Sequence, residues 1–376
     1  MTIERPAGYL DLQKIYIMPR IILTCLFFAS LFIATAQKVS MQSDNWDIGK
    51  QEVSFTTRDG KDVIKFDRGI VWAKGVDFAD GIIEADLSVY PERSFAGICF
   101  RGDEEGNAEM IYLRVPLSGR DDAIQYVPSF NKELNWQLYP EHQANYTFPQ
   151  TGWVHMKIVL SGNTAQLFMD TVSNPILTIA NLRTHNRTGK IGFTCLGEET
   201  FTNLTCTPMP RSALTPVVVR KEDGLITQYQ ISPSYTIDKQ TKEVPYPSST
   251  RLTWKTVGTD EDGLLNISKY YAKQNAETYQ SRSNDMVWLK QELVADEPVT
   301  RKMNFDFSNR VWVFLNGQIL YHGDHSFFLK GTFFIGSIEK KFISDAIYLP
   351  LKKGKNELLI AISAVANGWG IISKIQ

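Results

Sequence analysis

Between Asp80 and Tyr126 apolar and polar residues alternate with a period of two, and nothing else in the chain restricts its fold so strongly. Ile83, Ala85, Leu87 and Val89 are interleaved with Glu84, Asp86 and Ser88. Successive side chains of a strand point to opposite faces, so this pattern predicts a strand with one buried and one wet face. The next segments repeat it. Ala96, Ile98 and Phe100 oppose Cys99 and Arg101, and Ile111, Leu113 and Val115 oppose Met110, Tyr112 and Arg114. If the apolar sets share one core, Glu84, Asp86, Arg101, Tyr112 and Arg114 lie together on the other face. Its charges and rings make that face the candidate binding surface.

The same signature continues on both sides. Val53 and Phe55, then Ile64 and Phe66, flank the turn Arg58-Asp59-Gly60-Lys61, and Trp153 to Leu160 turns through Ser161-Gly162-Asn163 into Gln166 to Met169. Short strands, frequent turn signals and no helical period predict an antiparallel sandwich over residues 39–207. Residues 208–222, with prolines at 208, 210 and 216, suit a linker. Residues 223–376 predict a second all-β module. Its clearest element is Arg310 to Tyr321, two apolar runs joined by Asn316-Gly317. The expected fold class is therefore all-β, with two antiparallel β-sandwich or jelly-roll domains in tandem, for which 376 residues are ample.

Residues Ile21 to Ala36 form an apolar run that follows Lys14 and Arg20 and ends in Ala34-Thr35-Ala36. About twenty apolar residues are needed to span a bilayer, so a signal peptide over residues 1–36, cut before Gln37, is favoured over an anchor. Met18 is an alternative start. The expected product is secreted or periplasmic, with no membrane span after cleavage. It keeps Cys99, Cys195 and Cys206, which permit one disulfide and one free thiol; Cys195 and Cys206 are the closest pair in sequence. With 40 Lys and Arg against 41 Asp and Glu and no basic stripe, nucleic acid is not an expected partner.

The segments FADGIIEADLSV, FAGICFR, AIQYVPSF, NWQLYP, GWVHMKIVLSGNTAQLFMD, PILTIANL and GKIGF resemble the concanavalin A-like lectin/glucanase superfamily, which includes laminin-G-like and family 16 glycoside hydrolase-like domains. The resemblance runs from about Trp46 to Cys206. VWVFLNGQILYHG, FFIGSI and IYLPLKKGKNELLIAISAVANGWG are similar to the galactose-binding-like jelly roll, from about Asp223 to Lys374. Together these resemblances imply two sandwich modules whose relatives bind or cut glycans, so the expected partner is a polysaccharide or oligosaccharide.

The glucanases in that superfamily carry a Glu-x-Asp-x-Glu strand, with or without one extra residue. Glu84 and Asp86 match the first two acids, but Ser88, or Val89, stands at the third. Without a proton donor for the leaving oxygen that mechanism fails, so no catalytic residue is assigned. Binding needs flat rings for the C–H face of a pyranose and planar hydrogen-bonding groups around them. Tyr112, Tyr126 and Trp136 supply rings, and Arg101, Arg114 and Gln125 the planar groups. Tyr126 and its neighbour Gln125 cannot both face the surface of a regular strand, and Tyr126 is preferred. No histidine spacing beyond His322-Gly-Asp-His325 suggests a metal, and no metal or other cofactor is assigned. Calcium remains an option implied by the resemblance, with Asp103-Glu104-Glu105-Gly106-Asn107 offering oxygen ligands. The alternatives to glycan binding are a glycoside hydrolase with another acid pair and a protein-interaction module.

Overall fold

The computed structural model describes residues 36–89, 95–210, 222–247, 252–274, 283–331, 334–341, 343–365 and 367–376. The expected signal peptide and linker fall almost wholly outside them. The molecule is all-β: fourteen strands form one sheet from the first half, and the second half builds a seven-stranded and a four-stranded sheet. Among the described residues no helix is long and apolar enough to cross a membrane.

Two long strands organise the first half. Lys61–Phe78 and Gly189–Pro208 pair antiparallel over most of their length. Along Gly189–Pro208 the second neighbour changes: Lys190 to Leu196 pairs with Phe95–Gly102, whereas Phe201 to Pro208 pairs with Gly81–Val89. The change falls at a register break between Leu196 and Glu199, where Gly197 has φ of 101°, near Gly69 with φ of 89° on the partner strand. Such positive φ favours glycine, and strands that bend at such irregularities pass from one layer of a sandwich to the other. One layer holds Phe95–Gly102, Ala108–Arg114 and Ile124–Phe130; the other holds Gly81–Val89, Gly152–Ser161 and Thr164–Met169. Ile83, Ala85, Leu87, Ile98, Ile111, Leu113, Met156 and Ile158 meet in one buried core between them. Phe193 and Phe201, on either side of the bend, stack at 4.5 Å.

In the second half Asn309–Leu315 pairs with Gln318–His325 around Asn316 and Gly317, both at positive φ, as the Asn-Gly signal predicts. The core between its two sheets includes Val287, Phe305, Val311, Ile360 and Trp369. Trp369 is fully buried and donates to the Ile362 carbonyl, so it closes the core.

No described strand pairing links the first sheet to the other two, yet residues Thr35–Gln376 form one compact unit. The join is built by the segment around Trp136. The Gln137 N–H donates to the Asn367 carbonyl at 3.1 Å, and Leu138 packs with Leu264, Ile338 and Ile372. The Tyr139 hydroxyl donates to Asp260 at 2.9 Å. Beside it the buried Arg183 guanidinium reaches Glu261 at 2.7 Å, Asp262 at 3.6 Å and Asp260 at 3.7 Å, and Lys340 bridges Glu141 and Asp262.

Cys99, Cys195 and Cys206 are all buried free thiols. The disulfide that the sequence permits is not formed. Cys195 and Cys206 lie on the single strand Gly189–Pro208, and at about 3.3 Å per residue they are far beyond the 7 Å limit for a bridge. Replacing Arg183 with Met takes the cation from Glu261 and leaves Asp260 and Asp262 to Lys269 and Lys340 alone, and should lower stability by about 1 to 3 kcal/mol in urea unfolding. An unchanged midpoint would show that the join carries no stability.

Candidate functional site

The residues singled out from the sequence do not share one face. Arg101 sits in a bulge: Lys190 pairs with Gly102 and Gly192 with Cys99, leaving an extra residue on the shorter strand, and Arg101 adopts φ of 54°. A bulge re-aims the side chain, and here it points inward. The guanidinium is 1% exposed and donates from Nη2 to the Gly162 carbonyl at 2.7 Å and to Asp80 at 3.2 Å. Tyr126 pairs with Ile111 and therefore faces the core, fully buried, donating to Glu109 Oε2 at 2.5 Å. Gln125 takes the face of the strand away from that core, the reverse of the sequence preference, and is itself buried.

Tyr112, Arg114 and Trp136 do gather around Gln125. Its Oε1 accepts from the Tyr112 hydroxyl at 3.0 Å and Arg114 Nη1 at 3.4 Å, and its Nε2 donates to the Trp136 carbonyl at 2.9 Å. Arg114 also holds Asp122 at 3.1 Å, and the Trp136 ring stands edge-on to Phe327 of the second half at 5.6 Å. Gln125 is buried, and only 12% of the Arg114 side chain is exposed. Burial pushes the Tyr112 phenol up to about 12. These groups are largely satisfied by one another, and they brace the segment that joins the halves.

Glu84 and Asp86 lie elsewhere. In the sheet order, the strands Phe95–Gly102 and Gly189–Pro208 separate theirs from that of Tyr112. Their neighbours come from Gly152–Ser161, whose register sets Trp153 opposite Ser88, His155 opposite Asp86 and Lys157 opposite Glu84. Val154, Met156 and Ile158 of that strand are buried, so the odd-numbered residues form an outer face. His155 Nδ1 lies 2.8 Å from Asp86 Oδ1 and Nε2 lies 3.5 Å from Glu84. The other Asp86 oxygen accepts from Asn203 at 2.7 Å and Lys61 at 3.1 Å. Trp153 donates from its indole to Asp59 at 3.1 Å, and the Lys61 ammonium and Arg58 guanidinium sit 5.0 and 5.3 Å from its ring. Lys157 lies over Phe168 at 4.7 Å.

Burial alone would raise the Asp86 carboxyl, but hydrogen bonds from His155, Asn203 and Lys61 outweigh it and hold it at about 2. The hydrogen bond to Asp86 raises His155 against the opposing effect of burial. The position after Asp86 on this face is closed: Ser88 is buried and donates to the buried Glu199. Trp153 and His155 escaped the sequence reading, although their alternation with Val154 and Met156 was visible; what it could not show was which strand they would pair with. In the loop considered for calcium, Asp103 is held low despite burial by bonds from Asn186 and Asn107, and Glu104 pairs with Lys190 at 2.6 Å.

No family model and no curated protein matches the sequence. Among solved structures, a galectin-like protein of unknown function from Bacillus subtilis is similar over 47% of this chain and 96% of its own, at 14% identity and a TM-score of 0.37. The carbohydrate-binding module CBM66 from Bacillus subtilis matches over 43% and 96%, at 12% identity and 0.35. A Bacillus licheniformis beta-glucanase matches over 48% and 96%, at 14% identity and 0.32.

Because folding raises the His155 pKa, its pair with Asp86 contributes fully below the ordinary histidine value of about 6.5 and is lost as pH rises through the folded value. Asp86, held low, contributes above its ordinary value of about 3.9, and that contribution is lost as pH falls toward about 2. Thermal melts should therefore show the wild type losing more stability than His155→Gln between about pH 6 and pH 9. Parallel slopes would contradict the pairing.

Proposed function

We propose that this protein binds a polysaccharide or oligosaccharide on the outer face of Gly81–Val89 and Gly152–Ser161, with Trp153 as the sugar platform. The observation that carries this reading is the strand register that sets Trp153, His155 and Lys157 beside Asp86 and Glu84 on one solvent-facing surface. A pyranose offers C–H groups to a flat ring and hydroxyls to fixed donors and acceptors. Trp153 is only partly buried and is oriented by Asp59. Among the described residues the Glu84 carboxylate touches only His155, at 3.5 Å, so it keeps acceptor capacity for a hydroxyl. The resemblance seen in the sequence is to modules of the same class. The apolar run Ile21 to Ala36 supports export, and binding of this kind requires no cofactor.

Cleavage is the second reading, favoured by two carboxylates flanking a histidine. Retaining hydrolysis needs a nucleophile and a protonated acid about 5 to 5.5 Å apart. Asp86, at about 2, is ionised and held by three donors, and Ser88 stands where the second glutamate belongs. The chemistry on this face supports recognition better than hydrolysis.

The test is affinity electrophoresis of the chain from Gln37 onward through a panel of soluble polysaccharides, with released fragments scored in the same samples. Trp153→Ala should weaken retention by about tenfold or more and Glu84→Gln by less, whereas Trp136→Ala should leave retention intact. Retention unaffected by Trp153→Ala overturns the site; fragments abolished by Glu84→Gln establish the hydrolase.

A further inference from the structure

The second half contains a buried cluster that the proposed glycan site does not use. Asp306 lies near the end of Val299–Phe307, His325 ends Gln318–His325, and Asp345 opens Asp345–Leu351. The two aspartates belong to the four-stranded sheet and the histidine to the seven-stranded one, so the three meet across the sandwich. Their ligand atoms all lie within 4.8 Å of one another. His325 Nε2 is 3.3 Å from Asp345 Oδ2, and Nδ1 is 3.4 Å from Asp306 Oδ1. The imidazole is fixed, stacked on Phe307 at 4.2 Å with Phe334 edge-on at 5.8 Å.

Electrostatics leaves this cluster short of positive charge. Asp306 accepts backbone N–H bonds from Phe307 and Glu339, at 2.8 and 2.9 Å. The Tyr321 hydroxyl interacts with Asp345, but Asp345 Oδ2 is buried and has no hydrogen bond of good geometry. His325 is the only charged partner of either carboxylate among the described residues. Two carboxylates against one imidazole leave excess negative charge whether or not the ring is protonated. An uncompensated buried charge is strongly unfavourable.

We propose that Asp306, His325 and Asp345 form a site for a divalent transition-metal ion of the zinc class. Two ligands bonded at about 2.0 to 2.1 Å and at the tetrahedral angle stand about 3.3 Å apart, which matches the Nε2 to Asp345 Oδ2 separation. Asp306 faces the other ring nitrogen, as does the carboxylate that orients a metal-bound imidazole. The Asp345 side chain as a whole is 25% exposed, so the cluster lies close to solvent. A mixed imidazole and carboxylate donor set favours zinc over calcium. The spacing His322-Gly-Asp-His325 pointed to the wrong partner: His322 stacks on Trp312 at 4.8 Å, and the aspartates come from distant strands. An ion here ties the two sheets together at the root of the segment that sets Phe327 against Trp136 and Lys340 against Glu141 and Asp262.

The test is calorimetric titration of the chelator-treated chain from Gln37 onward with Zn²⁺ and, in parallel, with Ca²⁺, together with thermal melts. Zn²⁺ should bind with single-site stoichiometry and raise the melting temperature, and Ca²⁺ should do neither. Asp345→Asn and His325→Gln should each weaken Zn²⁺ binding by about tenfold or more and abolish the rise, while His185→Gln, at an exposed histidine, changes neither. Metal-free melts of Asp345→Asn separate loss of a ligand from loss of fold, because this change keeps the volume and removes a buried charge, so its metal-free melting temperature should not fall. Absence of Zn²⁺ binding, Zn²⁺ binding that survives both substitutions, or a lower metal-free melting temperature for Asp345→Asn overturns the proposal.

Discussion

The structure depends on the strand Gly189–Pro208 serving both layers of the first sandwich. Its pairing with Lys61–Phe78 persists through the bend, while its other edge passes from Phe95–Gly102 to Gly81–Val89. This hand-over allows a single sheet to enclose the core containing Phe193 and Phe201. It also builds the surface to which we assign binding. Gly189–Pro208 pairs with both Gly81–Val89 and Lys61–Phe78, so Asn203 and Lys61 reach the same Asp86 oxygen. Asn203 does so from a second irregularity, between Thr202 and Thr205, with φ of 55°. Together with His155 it lets a carboxylate stay ionised despite partial burial.

Bulges also mark the limit of what the sequence could show. Alternation placed Ile83, Ala85, Leu87, Ile98 and Ile111 in the core correctly, and Asn316-Gly317 marked its hairpin, because these depend on neighbours within one strand or turn. Arg101 failed because one extra residue reverses the face of a side chain without altering the hydrophobic pattern around it. Tyr126 failed for a related reason: every residue of Ile124–Phe130 is buried, so composition does not separate its two faces. The contact of Trp136 with Phe327 was not legible because Phe327 is far away in the chain. Glu84 and Asp86 do face outward, but their grouping with Tyr112 and Arg114 assumed that outward residues of one core share one surface. In a curled sheet they do not.

The two halves contribute differently. The first carries the open surface of Trp153, Glu84 and His155, while its Tyr112, Gln125 and Trp136 brace the join. The second receives Leu138 and Tyr139 and encloses Arg183 with the carboxylates of residues 260–262. Trp153 and Glu84 are partly exposed, and Glu84 keeps acceptor capacity, whereas Gln125, Tyr139 and Arg183 at the join are buried and held by their neighbours. That contrast is why we assign binding to the first region and assembly to the second, although both are rich in rings and charges.

The most direct measurement is the crystal structure of the chain soaked with an oligosaccharide cut from whichever polysaccharide it retains. A pyranose ring stacked on Trp153, with a hydroxyl donating to Glu84, is the predicted result. A sugar lodged instead beside Tyr112 and Trp136, or anywhere on the second half, would contradict the assignment.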